Sequence, residues 1–227
     1  MSRSSHTRIE KRKADAPKPT VAFAYMPSRF SKAAASEGIF RLRRISAFHT
    51  MENGFLRDPL DGIAFSESTS FNLGELNSDQ RAAVAKWNVG DFGPEVAFDP
   101  RNFDVIDCQF QLSSVNYFTL CASKSGSNAH LSAIHDGLVK ILDVSKFTEA
   151  IAESHALDIV DWVHGDVVYT DAGIDPLSNA QIDIALRKRT IFAPEEEHRM
   201  LWGPREGAPD ELMTRSPAAA RFLRYIR

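Results

Sequence analysis

Apolar and polar positions change their spacing several times along the chain, and each change predicts an element. Thr20 to Tyr25 is a short apolar run that reads as a strand. Ser28 stands where a helix cap belongs, ahead of Arg29 to Glu37, and Gly38 follows at the position where a left-handed residue ends a helix. Ile39 to Arg44 alternates as a strand, with Phe40 and Leu42 toward the core and Arg41 and Arg43 sharing the other face. Turn signals at Asn53-Gly54 and Asp58-Pro-Leu-Asp-Gly62 make 49–75 mostly loop with one short strand. Asn77 and Gln80 have the spacing of a capping box that opens a helix from Ser78 to Trp87, closed by Gly90. Phe92 to Arg101, rich in Gly and Pro, is irregular.

The second half is more regular. Phe103 to Phe110, Val115 to Cys121 and Leu138 to Val144 carry the β-branched and aromatic residues of strands. Ser145 caps a helix to about Ser154. Leu157 to Val163 and Val167 to Thr170 read as a hairpin turning at His164-Gly-Asp166. Asp175-Pro176 opens a helix to about Arg187. Ser216-Pro217 opens a last one, with Phe222, Leu223, Tyr225 and Ile226 docked and Arg221, Arg224 and Arg227 outward. Helices and strands do not alternate strictly, so the expected class is α+β: one domain over 20–227, with a mixed or mainly antiparallel sheet flanked by helices.

Composition and charge refine this picture. Residues 1–19 form a basic tail without an apolar core and are expected to be disordered. Residues 1–18 carry six basic side chains against Glu10 and Asp15, so a chain of net charge −3 divides into a +4 tail and a −7 body. An acidic body argues against a dedicated nucleic-acid binder, which leaves the tail and the Arg221, Arg224, Arg227 face as the basic surfaces. No run of apolar residues is long enough for a membrane span, and the N-terminus has no signal-type apolar segment. Cys108 and Cys121 form neither a disulfide framework nor a CxxC pair, so a reducing cytoplasm is the expected location. Two glycines are nowhere separated by a single residue, which excludes G-x-G-x-x-G; the P-loop pattern and the nucleophile elbow G-x-S-x-G are also absent. His130 and His135 are not spaced to share a helix face, and no local metal-ligand spacing is present.

The densest run of ionisable residues is Ala185 to Trp202. If Glu195 to Leu201 is extended, Glu195, Glu197, Arg199 and Leu201 share one face and Glu196, His198, Met200 and Trp202 the other. Two carboxylates one residue apart raise each other's pKa, while a neighbouring arginine holds them ionised. The same run, following Pro194, also reads as the acidic first turn of a helix or as a solvated edge strand, and both alternatives stay open at this point.

Arg57-Asp-Pro-Leu-Asp61, Cys121 at the end of a strand and Arg187-Lys-Arg-Thr-Ile-Phe-Ala-Pro-Glu-Glu-Glu-His-Arg199 occur in that order, with Val167-Val-Tyr169 between the last two. Over residues 20–202 this resembles the bacterial domain-of-unknown-function family numbered 2971, whose members read Asn-Asp-Pro-aromatic-Glu early and Lys, then Glu-x-Glu-x-Arg, late. Arg57 stands where the family has Asn, and Leu131-Ser-Ala-Ile134 where it has Trp-x-x-Tyr, though His135-Asp-Gly137 still follows. The family implies a bacterial protein without supplying an activity. A second resemblance is to the Arg, Ser-Thr-Ser, Glu-x-Glu class of ADP-ribosyltransferases, through Arg41 or Arg43, Ser68-Thr-Ser70 and Glu195-x-Glu197. It implies NAD as cofactor, with the phosphates on Arg41 or Arg43, the nicotinamide pocket shaped at Ser68, the ribose on Glu197 and the acceptor activated by Glu195. The expectations are therefore an NAD- or nucleotide-directed enzyme with Glu195 and Glu197 catalytic and Arg41, Arg43 and Ser68 binding. Against it stands a non-enzymatic interaction, stress or phage-defence module in which Glu195, Glu197 and Arg199 only hold the fold.

Overall fold

A computed structural model describes residues 20–50, 60–84, 104–108, 111–175, 177 and 184–227. In chain order the elements are β1 (Ala22–Met26), α1 (Ser28–Glu37), β2 (Arg41–Arg44), β3 (Ile63–Phe65), β4 (Thr69–Asn72), α2 (Ser78–Val84), β5 (Asp104–Cys108) and β6 (Gln111–Ser113). They continue with β7 (Phe118–Ser123), α3 (Ala129–Ser132), β8 (Gly137–Ile141), α4 (Val144–Ser154), β9 (Ile159–Asp166), β10 (Val168–Tyr169) and β11 (Arg187–Lys188). The last are β12 (Glu197–Pro204), β13 (Glu211–Met213), α5 (Pro217–Ala220) and β14 (Leu223–Tyr225).

Eight strands form one antiparallel sheet whose spine is β9, β12, β7. On its far side β7 pairs with two strands laid end to end. Its last residue, Ser123, meets Phe23 of β1, and its first two meet Arg44 and Arg43 of β2. One branch then continues through β8 to β14 and the other ends at β13. The α+β, mainly antiparallel expectation holds.

Helices α1, α4 and α5 cover one face of this sheet. Phe40, Leu42, Phe118, Val139, Ile141, Phe147, Met200 and Trp202 fill the layer between. Burial of side chains this large contributes about 2–3 kcal/mol each. The indole N–H of the fully buried Trp202 donates to the Thr148 carbonyl at 2.9 Å, so no polar atom is stranded there. The opposite face carries a smaller cluster of Ile45, Tyr117, Ala185 and Leu201. Strand β12 lies between the two layers and is buried along nearly its whole length.

Several local expectations are realised atom for atom. Gly38 ends α1 with φ +66° and donates to the Ala34 carbonyl at 2.9 Å. Asn77 accepts from the Gln80 amide at 2.9 Å while the Gln80 side chain accepts from the Asn77 amide at 2.9 Å, a reciprocal capping box.

Others are corrected by tertiary pairing. Ser28 is the first residue of α1 rather than its cap. Its amide and hydroxyl donate to Asp136, each at 2.7 Å, so a carboxylate from the loop before β8 serves the helix start. Asp143, not Ser145, caps α4, accepting from the Lys146 amide at 3.0 Å. The predicted hairpin turn at His164-Gly-Asp166 is straight strand, because β12 pairs with β9 as far as His198 opposite Asp166. Arg187 closes no helix; it begins β11, parallel to β10. The last helix stops at Ala220, and the chain returns as β14 with Tyr225 and Ile226 exposed instead of docked. Two short strands, β3 and β4, replace the single one expected in 49–75. The expected basic tail and the irregular 92–101 segment lie outside the described residues, as does most of the helix predicted from Pro176 to about Arg187.

Candidate functional site

Five charged side chains from four parts of the chain meet at the start of β12. Arg199 is the hub. Its Nη1 and Nη2 donate to the two carboxylate oxygens of Asp61 at 2.6 and 2.9 Å, its Nε donates to Glu197 Oε1 at 2.5 Å, and Nη1 also donates to the Ala185 carbonyl at 2.8 Å. This is the planar two-pronged recognition that a guanidinium makes and an ammonium cannot. Lys188 closes the other side, donating to Glu197 Oε2 at 3.1 Å and Glu195 Oε2 at 2.6 Å. All five are buried.

Each position has a local cause. Asp61 sits in the turn anticipated at Asp58–Gly62. Gly62 takes φ +71°, and a β-carbon there would stand 2.6 Å from Ile45 Cγ2. Arg199 and Cys121 are opposite one another across β12 and β7, as are Glu197 and Ser123, so these four share a face. Tyr169 and Lys188 are paired across β10 and β11, and the Tyr169 hydroxyl accepts from the Glu197 amide at 2.7 Å. Glu195 is not on the strand. Thr190–Glu195 is a 3-10 turn, and Glu196 then adopts φ +48°, ψ +47° before β12 begins. The left-handed residue replaces the extended alternation expected between Glu195 and Glu197, and the two carboxylates meet at one ammonium through the turn instead. Asn128 anchors the turn by donating to the Pro194 and Glu195 carbonyls at 2.8 and 3.1 Å.

The electrostatics separate the two glutamates. Burial alone would push both carboxyls up. At Glu197, Arg199 and Lys188 overcome burial and hold it ionised, well below the ordinary carboxylate range. At Glu195, burial outweighs Lys188, and the neighbouring Glu197 charge adds to it, so its pKa is pushed up to about 7. Burial would depress the Lys188 ammonium, but Glu197 and Glu195 raise it. Burial also keeps the Cys121 thiol and the Tyr169 phenol protonated. Oε1 of Glu195 is buried and has no hydrogen-bond partner.

A cavity of about 150 Å³ opens beside this network, with Glu195, Glu197, Asp61 and Lys188 in one wall. Tyr25, Phe48, Cys121, Ser123, Leu131 and His135 complete it. Lys188 also borders a second, more open cleft of about 440 Å³ flanked by Arg187, Arg189 and Thr170.

Of the residues singled out in the sequence, Glu195 and Glu197 come together and the others do not join them. Arg41 and Arg43 project from β2 and pair with Glu211 of β13, Arg43 at 3.5 Å. Ser68 is exposed in the link between β3 and β4. The sequence reading missed Lys188, Asp61, Tyr169 and Asn128 as site residues, although the first three lie in the segments that carry the family resemblance. Among the described residues no group of three or more His, Cys, Asp or Glu is arranged to hold a metal ion, and no helix is long and apolar enough to cross a membrane. No family model, curated protein or solved structure matches the chain.

Proposed function

We propose that the chain is an enzyme in which the Glu195 carboxyl performs general acid–base chemistry on a small or nucleotide-type substrate, with Glu197 holding the site's electrostatics. One observation carries this reading. Glu195 is a buried carboxyl in a cavity wall, with one oxygen fixed by Lys188, the other unpartnered, and a pKa of about 7. A proton carrier is most effective when its pKa is near the working pH. As the bond to a leaving oxygen or nitrogen breaks, protonated Glu195 delivers its proton to that atom, and the attacking water or alcohol returns one to the carboxylate. The cleft across Lys188 offers Arg187 and Arg189 to the phosphates of a nucleotide, beside Glu67 and Asp171.

The roles differ from those of the ADP-ribosyltransferase pattern. Both oxygens of Glu197 are engaged by Arg199 and Lys188, so it orients the network rather than a ribose hydroxyl. In support of the resemblance to the 2971 family, residues from each of its segments (Asp61, Cys121, Tyr169, Lys188, Glu195, Glu197 and Arg199) face one another here. A bacterial cytoplasmic enzyme is the corresponding proposal for its setting. The non-enzymatic module is the second reading, favoured by the mutual saturation of Asp61, Arg199 and Glu197, which would serve the fold alone equally well.

The test is turnover of labelled NAD and a panel of nucleotides by wild type and Glu195→Gln. The expected result is activity rising and falling about an apparent pKa near 7, with Glu195→Gln reduced at least 100-fold at undiminished thermal stability. Equal turnover by the two proteins, or none by either across the panel, would favour the structural module.

A further inference from the structure

The charge balance of the cavity points to the kind of group it accepts. Three carboxyls, Asp61, Glu195 and Glu197, face two cations, Lys188 and Arg199. With all five ionised, one buried negative charge is left over. Asp61 and Glu197 are each engaged at both oxygens, so the surplus falls on Glu195, whose Oε1 is buried without a partner. A buried carboxylate in that condition takes up a proton or a cation. The other wall is chosen for neither charge. Tyr25, Phe48 and Leu131 supply aromatic and aliphatic surface, and a space near 150 Å³ is about what a single benzene-sized body fills. Aromatic rings beside an ammonium add attraction where water is excluded.

We infer that this cavity binds a small organic cation, a primary or methylated amine with a compact apolar body, whose ammonium pairs with the Glu195 carboxylate while its hydrocarbon part lies against Tyr25, Phe48 and Leu131. This rests on the reading of Glu195 given above and identifies the part of the substrate that the cavity takes. The amine and the proton compete for one carboxylate, so binding is linked to proton release. The groups facing Glu195 are Lys188 from β11, Glu197 and Arg199 from β12, Asp61 from the turn before β3, Cys121 from β7, Tyr169 from β10 and His135 after α3. Glu197 is held ionised and Lys188 protonated, while burial keeps Cys121 and Tyr169 protonated and disfavours the His135 imidazolium. Burial raises the Asp61 carboxyl too, but Arg199 donates to both of its oxygens, whereas Glu195 is bonded at one oxygen only and is the carboxyl that exchanges its proton with the amine.

Calorimetry with n-butylammonium, in buffers of different ionisation enthalpy, tests this directly. With a pKa of about 7, saturable binding at pH 6 releases about 0.9 proton per cation and at pH 8 about 0.1. Neutral butan-1-ol binds at least 10-fold more weakly. Glu195→Gln abolishes the proton release, and Leu131→Trp, which fills the cavity without touching the charges, abolishes binding. Equal affinity for the alcohol, binding without proton release, or unchanged binding to Leu131→Trp would overturn the inference; so would no saturable binding. Turnover with no amine binding would leave acid–base chemistry and remove the cation. Proton-linked binding without turnover of any substrate would do the reverse.

Discussion

Glu195 and Glu197 are separated by one residue, yet the pKa of one is raised and that of the other lowered. The cause is the number of cations each meets: Glu197 touches Lys188 and Arg199, Glu195 only Lys188. The consequence for stability follows by linkage. Glu195 has its folded pKa raised from 4.5 to about 7, so the folded state binds the extra proton and that contribution is complete below pH 4.5. It is lost as pH rises toward 7, a change of about 3 kcal/mol. Glu197 has the opposite sign: its contribution is present above pH 4.5 and is lost as pH falls toward its depressed folded pKa. Urea denaturation of wild type and Glu195→Gln at pH 5 and pH 8 should therefore show wild type losing stability relative to the variant as pH rises. Parallel pH profiles would contradict the assignment.

At the scale of elements, the starts and ends of helices separate into locally and remotely encoded ones. The Asn77–Gln80 box and the Gly38 terminus involve neighbours in sequence, and both were legible. The cap of α1 is Asp136, 108 residues from Ser28, and no pattern near Ser28 announces it. Asp136→Ala should lower the midpoint of a thermal melt, as removal of an N-terminal cap does, and Ser28→Ala should add little once Asp136 is gone. Strand β9 gives the same lesson. His164-Gly-Asp166 has turn composition, but a β-carbon at Gly165 would stand 2.8 Å from Leu186 Cδ1. The glycine leaves room for the Leu186 side chain rather than making a turn.

Across the whole molecule, the Asp61–Arg199 pair joins residues 138 apart and ties the turn before β3 to the central strand. A fully buried charge left alone is expensive, so Arg199→Met should destabilise the fold by about 3–5 kcal/mol in urea. The double variant Asp61→Asn, Arg199→Met should recover part of that, since it removes the stranded carboxylate as well. If the single and double variants were equally stable, Asp61 would not be left stranded by the loss of Arg199. The same network explains why β12 is hard to recognise as a core strand: its sequence begins Glu-His-Arg, whereas a strand buried on both faces ordinarily reads as a continuous apolar run. Here charges satisfied by one another take the place of hydrocarbon on one face, while Met200 and Trp202 fill the other.

What the amino-acid sequence determined on its own is whatever depends on spacing of a few residues: the α+β class, the two-faced strands such as Phe40 and Leu42 against Arg41 and Arg43, the turn that holds Asp61, and the concentration of charge in the glutamate run. Those features rest on backbone geometry and short-range hydrogen bonds, which neighbours in the chain dictate. Only the tertiary structure decided that Lys188 and Asp61 are the partners of that run, that Arg41 and Arg43 belong instead to Glu211, and that burial raises the Glu195 carboxyl while two cations lower that of Glu197. Partners and pKa are set by burial and by charges within a few ångströms, and those distances exist only after strands far apart in sequence have paired.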